Sequence, residues 1–280
     1  MPTVWILTDD RYLAQRMPGA LISWLKAEHV LTHTLVAGVT SIGDDPWESL
    51  QPGDVVVART RHPFGLSLLR RAGRAGVKVL TPWESIAAVR DKVHAARVLA
   101  NVGVPTPRTL FVASPAALKA VARSCFPLLL KPRFGDNANG IVVVGSPEEI
   151  DEIDWTDGML LAQDYVEAGA IDLKLYCVDG QVWAIRRPSP LAGPNSHGNR
   201  AVAFEPFQPN RRLVEIAQKC ASAFGLRLFG VDVLEAPTGP VIVDVNDFPN
   251  YTGVDDAPEA IGRLILNALG SNQPEAACVS

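Results

Sequence analysis

A chain of 280 residues, 48% of them hydrophobic, is long enough to bury a substantial core in one large domain or in two to three small ones. Its 26 basic and 30 acidic side chains leave a net charge of −4, which argues against a broad nucleic-acid-binding face. No run approaches the roughly 20 apolar residues that span a bilayer, so neither nucleic acid nor membrane is an expected partner.

VWILT (Val4 to Thr8) reads as a buried strand. Tyr12 to Glu28 has helical spacing, with Leu13, Met17, Leu21 and Leu25 on one face and Pro18 placed to break or restart it. LTHTLVA follows as a second strand, and DVVVAR (Asp54 to Arg59) as a third, rich in β-branched residues. A helix over Leu66 to Ala75 and a short VKVL strand complete a doubly wound parallel sheet over about 1–80. From Pro82 a helical stretch runs to Gly103. Thr109 to Val112 is a strand, and Ser114 with Pro115 starts a helix. FPLLLKPRF, GIVVV, LLAQDYV, DLKLYCV, QVWAIRR, FGVDVLEA and PVIVDVN read as strands, with helices at Arg211 to Phe224 and Ala257 to Ala268. The last ten residues, 271–280, read as a disordered tail.

The N-terminus turns acidic after a few apolar residues, unlike a secretory signal, and a cytoplasmic location is expected. Cys125, Cys177, Cys220 and Cys278 form no CxxC pair and read as reduced thiols. His29 and His33 stand at i, i+4, the spacing of helical metal ligands, but have no third ligand nearby in sequence. Lysine is scarce, 7 residues against 19 arginines, so a lysine in a suggestive context carries weight.

Four segments carry chemistry. In LLLKPRFGDNANGIVVV, Lys131 ends an apolar strand before a loop containing Gly135 and Gly140; such a loop lets backbone approach a phosphate chain while lysine supplies charge. An ordinary hairpin loop explains that pattern equally well, and no GK[ST] follows to make a Walker A loop. In PVIVDVNDFPN, period 2 places Asp244 and Asn246 on one face, with Val243 and Val245 on the other. Asp232 lies within the apolar strand FGVDVLE, where an uncompensated carboxylate would cost several kcal/mol. Two carboxylates and an amide oxygen on neighbouring strands match a hard cation such as Mg2+. In LLAQDYVEAGAID, a strand end followed by acids can offer backbone groups to an adenine edge and a carboxylate to ribose hydroxyls; a plain hairpin turn explains it too. Arg186 and Arg187 end a strand before a Pro/Gly/Ser loop containing Asn195, and arginine there would stabilise charge on a transferring phosphoryl group or simply be a basic strand end.

The order of these motifs resembles the ATP-grasp superfamily, and within it the RimK-like amino-acid ligases, from roughly Asp54 to Leu269. The resemblance implies an ATP-grasp fold: the N-terminal parallel-sheet subdomain, then two α+β subdomains at about 81–165 and 166–270 clamping ATP. It implies that Lys92 contacts the α/β-phosphates, that KPRFGDNANG is the second lysine with its phosphate loop, and that Asp164, Tyr165 and Val166 contact adenine with Asp172 on ribose. Lys174 stands where that family commonly has arginine. Arg187 and Asn195 fall near the γ-phosphate and acceptor, and Asp232, Asp244 and Asn246 on two Mg2+ ions, with Mn2+ as a possible substitute.

Departures from the family pattern touch the acceptor: Asp replaces the usual Glu at 244, and the loop reads GPNSHGN. RRPSP and DVNDFPNYTGV are also similar to inositol-trisphosphate 5/6-kinases, although FGDNANG lacks their loop histidine. The expected activity is ATP-dependent carboxylate–amine ligation through an acyl phosphate, on small-molecule or peptide carboxylate and amine substrates. A kinase of a small polyol phosphate and a nucleotide-binding module without turnover are the alternatives. Arg59 and Arg61, after the DVVVA strand, are placed either to hold the acceptor carboxylate or as surface charges. A homo-oligomer is compatible with the sequence.

Overall fold

The computed structural model describes residues 2–39, 50–135, 138–156, 158–189 and 204–270, and within them the chain builds three sheets in succession. Strands β1 (Val4–Asp9), β2 (Thr32–Ala37), β3 (Val55–Arg59) and β4 (Lys78–Val79) pair in parallel, in the order β2-β1-β3-β4. β1 and β3 are buried along their whole length because both faces of this sheet are covered, which is why they read as continuous apolar runs. On one face, Trp5, Leu7, Val56 and Ala58 meet Leu68, Leu69 and Ala72 of α2 (Pro63–Arg74). On the other, Ile6 and Val57 meet Met17, Leu21 and Leu25 of α1 (Arg16–Ala27), together with Ile261 and Ile265 of α6 (Ala257–Gly270). α6, the last helix among the described residues, thus completes the core of the first sheet. Gly262 makes that possible: a Cβ there would stand 2.1 Å from the Trp24 ring.

Two helical expectations change in detail. The stretch from Tyr12 is a short 3-10 turn at Asp10–Tyr12 and then α1, in which Met17 is extended (φ −104, ψ 138) and the regular helix starts at Pro18. The residue before a proline avoids the helical region, and a proline at the first helical position has no N–H to waste. The Met17 N–H donates to Asn250 Oδ1 at 3.0 Å instead. The stretch from Pro82 to Gly103 is two helices, α3 (Trp83–Arg90) and α4 (Lys92–Asn101). Asp91 interrupts them by capping α4, accepting from the N–H groups of Val93 and His94 at 3.1 and 3.2 Å.

The second sheet is antiparallel: β5 (Thr109–Val112), β6 (Leu128–Pro132), β7 (Val142–Val144) and β8 (Leu160–Asp164), in the order β5-β8-β6-β7. The helix expected after Ser114 is a 3-10 segment, Pro115–Ala120, that ends where Val121 turns extended. The third sheet, also antiparallel, runs β11-β10-β9-β12-β13, from β9 (Ile171–Val178), β10 (Gln181–Pro188), β11 (Glu205–Phe207), β12 (Leu228–Ala236) and β13 (Gly239–Asp247). Alternation splits β9 cleanly. Leu173, Leu175 and Cys177 pack beneath α5 (Arg211–Phe224), while Asp172, Lys174 and Tyr176 face the other way. Asn210 caps α5 by accepting from Leu213 N–H at 3.0 Å, and Gly225 ends it in the left-handed region (φ 62).

Among the described residues, no helix is long and apolar enough to cross a membrane. Cys125, Cys177 and Cys220 are free, and Cys278 lies outside the described residues, as does the expected tail 271–280. His29 and His33 do not share a helix: His29 follows α1 with φ 56, and His33 stacks on Trp5 at 4.7 Å.

Candidate functional site

The inner faces of the second and third sheets enclose a cleft of about 370 Å³. Of the described residues expected to hold nucleotide, phosphate or metal, all but Gly140 line it: Lys92, Lys131, Gly135, Asp164, Tyr165, Val166, Asp172, Lys174, Arg187, Asp232, Asp244 and Asn246; Arg59 and Arg61, the candidates for the acceptor carboxylate, do not. Gly140 (φ +73) sits behind, where a Cβ would crowd Pro132 at 3.3 Å. Asn195 lies outside the described residues.

Register explains the clustering at one end. Arg187 lies opposite Asp172, Lys174 opposite Asp232, and Asp232 opposite Asp244, so period 2 carries all five to one face of the third sheet. Asp232 Oδ1 accepts from Lys174 Nζ at 2.8 Å and Arg187 Nη2 at 2.7 Å, and Oδ2 accepts from Asn246 Nδ2 at 2.8 Å. Burial pushes the Asp232 carboxyl up, but Lys174 and Arg187 outweigh it and hold the group below the usual carboxylate range. Burial lowers the Lys174 ammonium, with Asp232 opposing. Asp244 Oδ2 accepts from Lys92 Nζ at 2.7 Å, and its side chain is 26% exposed to the cleft. Its other oxygen takes the Val245 N–H at 3.1 Å. Lys92 owes its aim to the helix break, because Asp91 caps α4 and the Lys92 N–H donates to the Arg133 carbonyl at 3.1 Å.

The β12–β13 ladder shifts register between Asp232 and Val233, leaving Val243 as the extra residue of a bulge. Val243 was expected to turn away from the site with Val245. The bulge breaks the alternation instead, so Ile242 and Val245 join the core while Val243 lines the cleft. Its carbonyl accepts from Lys131 Nζ at 3.2 Å, joining the second sheet to the third. Lys131 is 7% exposed, and burial, reinforced by Lys92, lowers its ammonium to about 8 against the pull of Asp244 and Asp232.

At the far end, Leu129, Ile141 and Pro107 form an apolar wall with Gln163 and Tyr165. The Asp164 side chain, also at this end, is paired with Arg108 at 3.0 Å. Gln163, which the sequence reading passed over, is 6% exposed and donates to Thr109 Oγ1 at 3.0 Å; a polar residue inside the apolar run LLAQDYV was the available signal. Asp172 Oδ1 is buried without a hydrogen-bond partner among the described residues, and burial raises its carboxyl despite Ser189 and Arg187.

A second cavity of about 250 Å³ adjoins the cleft and shares Lys174, Arg187 and Asn246 with it. Its remaining wall includes Tyr12, the ends of β3, α3 and β13 at Arg59, Arg90 and Asp247, and Phe248 just after β13. Arg90 and Asp247, neither predicted, pair through Nε–Oδ1 at 2.8 Å and Nη2–Oδ2 at 2.5 Å.

A lysine pair, an oxygen-bearing set on adjacent strands and two facing antiparallel sheets define an ATP-grasp protein. Two solved structures share this architecture across nearly the whole chain. The ATP-grasp ligase PsnB, complexed with minimal precursor, Mg and ADP, superposes with a TM-score of 0.72 at 14% identity, covering 96% of this chain and 98% of that one. D-cycloserine synthetase DcsG does so with a TM-score of 0.72 at 18% identity, covering 95% and 99%. Residues 89–264 match the RimK-like ATP-grasp domain, and the chain belongs to that family. Among curated relatives, a probable alpha-L-glutamate ligase of Teredinibacter turnerae is 28% identical over 218 residues, 75% of this chain and 72% of its own. ATP-grasp ligases use ATP and Mg2+, and these three proteins are named as ligases or synthetases, not as inositol-phosphate kinases.

Proposed function

We propose that this protein is an ATP-dependent carboxylate–amine ligase that works through an acyl phosphate. The observation carrying this reading is the junction of the two cavities: Lys174, Arg187 and Asn246 border both the nucleotide-sized cleft and a cation-lined second chamber. Adenine lies against Leu129 and Ile141 with its edge on the Tyr165–Val166 backbone, and the orphan Asp172 Oδ1 accepts a ribose hydroxyl. Lys92 and Lys131 hold the phosphates. The all-oxygen set of Asp232, Asp244 and Asn246 fits Mg2+, and its charge is now balanced by Lys92, Lys174 and Arg187. Bound there, Mg2+ would offset charge on the β- and γ-phosphates. The resemblance gives two ions.

The acceptor carboxylate oxygen attacks the γ-phosphorus and the bond to the β-bridging oxygen breaks, giving acyl phosphate and ADP. Arg187 stabilises the equatorial charge. An amine then adds to the acyl carbon, loses a proton, and inorganic phosphate leaves with the C–O bond electrons, producing the amide. Arg187 is placed at the same junction to stabilise the tetrahedral oxyanion. In this reading, "alpha-L-glutamate ligase", the name of the relatives, suggests an amino acid as one partner, while PsnB and DcsG span peptide and small-molecule chemistry. The deciding assay measures ADP and free phosphate separately with panels of carboxylates and amines. Equal ADP and phosphate that require both substrates support the ligase. Phosphate retained on an acceptor replaces it with the kinase.

A further inference from the structure

The second cavity holds a guanidinium prepared for an anion that none of the described residues supplies. Arg59 ends β3 and is 6% exposed. Its Nη2 donates to Gln15 Oε1 at 2.7 Å, and its plane lies over the Tyr12 ring at 4.4 Å. Nη1 is buried with no hydrogen-bond partner among the described residues. Orphaned buried donors are costly, and one on a guanidinium fixed by stacking and by a neighbouring amide is a ready anion receptor. Burial lowers this guanidinium to about 10, with Tyr12 and Asp247 opposing.

The nearby carboxylate is not available to it. Asp247 lines the cavity, but each of its oxygens is taken by Arg90. Lys174 and Arg187 share Asp232 at the junction. The chamber is therefore left with excess positive charge on the Arg59 side. Arg59 lines this chamber and not the nucleotide cleft, whereas Arg187 and Asn246 border both. A carboxylate reacting with ATP must lie at the shared border, so Arg59 faces a different part of the same molecule.

We propose that the acceptor is a small acid carrying a second carboxylate, which docks on Arg59 Nη1 while the reacting carboxylate lies beside Arg187 and Asn246. The inference rests on the ligase reading and adds to it the class of acid. At about 30 Å³ per water-sized group, a 250 Å³ chamber holds roughly eight such groups, the size of a four- or five-carbon diacid rather than a folded protein surface. The absence of an open carboxylate among the described lining residues disfavours an acid with a free ammonium at this end.

The test uses the full chain and two readouts. Calorimetric titration without nucleotide compares succinate and glutarate with their mono-amides and with aspartate and glutamate. With Mg-ATP, hydroxylamine traps any acyl phosphate as a hydroxamate. Expected is at least tenfold tighter binding of a diacid than of its mono-amide, abolished in Arg59→Met, whose Mg-ATP-induced rise in Tm shows that it folds. Arg59→Lys, which keeps charge but not the planar fork, should fall between. Equal binding of diacid and mono-amide to the wild type overturns the proposal whatever the variants do, as does an unchanged preference in a folded Arg59→Met. Diacid preference without hydroxamate leaves the receptor standing and removes the ligase reading. Hydroxamate formed equally from mono-acids does the reverse.

Discussion

Replacing Asp232 by Asn tests the electrostatic centre of the site. The substitution keeps the side-chain shape but removes the carboxylate charge from Lys174 at 2.8 Å and Arg187 at 2.7 Å, in a place where Lys174 is 6% and Asp232 14% exposed. Removing one member of a buried pair costs about 3–5 kcal/mol, which at roughly 2–4 °C per kcal/mol lowers Tm by roughly 6–20 °C. The loss also acquires a pH signature. Burial already lowers Lys174, and without Asp232 it falls further below its unfolded value of about 10.4. The folded variant then binds fewer protons than the unfolded chain, so its stability rises with pH up to the unfolded lysine value, more steeply than the wild type's. Adding Lys174→Met should return part of the loss, because the stranded ammonium is gone. Urea denaturation at several pH values measures all three quantities. A cost under about 1 kcal/mol with no pH slope, or fully additive costs in the double variant, would refute the assignment of Asp232 as the counter-charge.

Three further outcomes follow from the same geometry. Lys131, lowered to about 8 by burial, loses its charge in the free protein as pH rises through that value, so Mg-ATP affinity by calorimetry should fall about tenfold per unit above it. Lys131→Ala should flatten that profile and remove the Mg-ATP-induced Tm shift. Asp244→Asn should abolish turnover while leaving nucleotide binding detectable; full activity would take Asp244 out of the metal set. Asp172→Ala should erase the preference for ATP over its 2′- or 3′-deoxy analogue, a difference of about 1.5–3 kcal/mol, or roughly 10–150-fold in affinity, measured by competition.

The sequence by itself determined most of the strands, though not the short β11, and most of what each face carries. Side-chain alternation is a local property, so DLKLY alone separates Asp172 and Lys174 from Leu173 and Leu175, and VDVN puts Asp244 and Asn246 together. The Asp91 cap that splits α3 from α4 was missed, since the stretch from Pro82 to Gly103 read as one helix; a helix-capping residue inside it was the available signal. Tertiary structure decided the rest. Lys92 meets Asp244 across 152 residues and Arg90 meets Asp247 across 157, distances over which no local pattern carries information. The bulge that turns Val243 into the cleft depends on the partner strand's register, since Val243 and Val245 look alike in sequence. Closure of the first sheet by α6, and with it the chamber around Arg59, needed the chain's two ends to pack together. In sequence Arg59 reads equally as a holder of the acceptor carboxylate or as a surface charge; burial and a donor unpaired among the described residues, both products of long-range packing, favour the first.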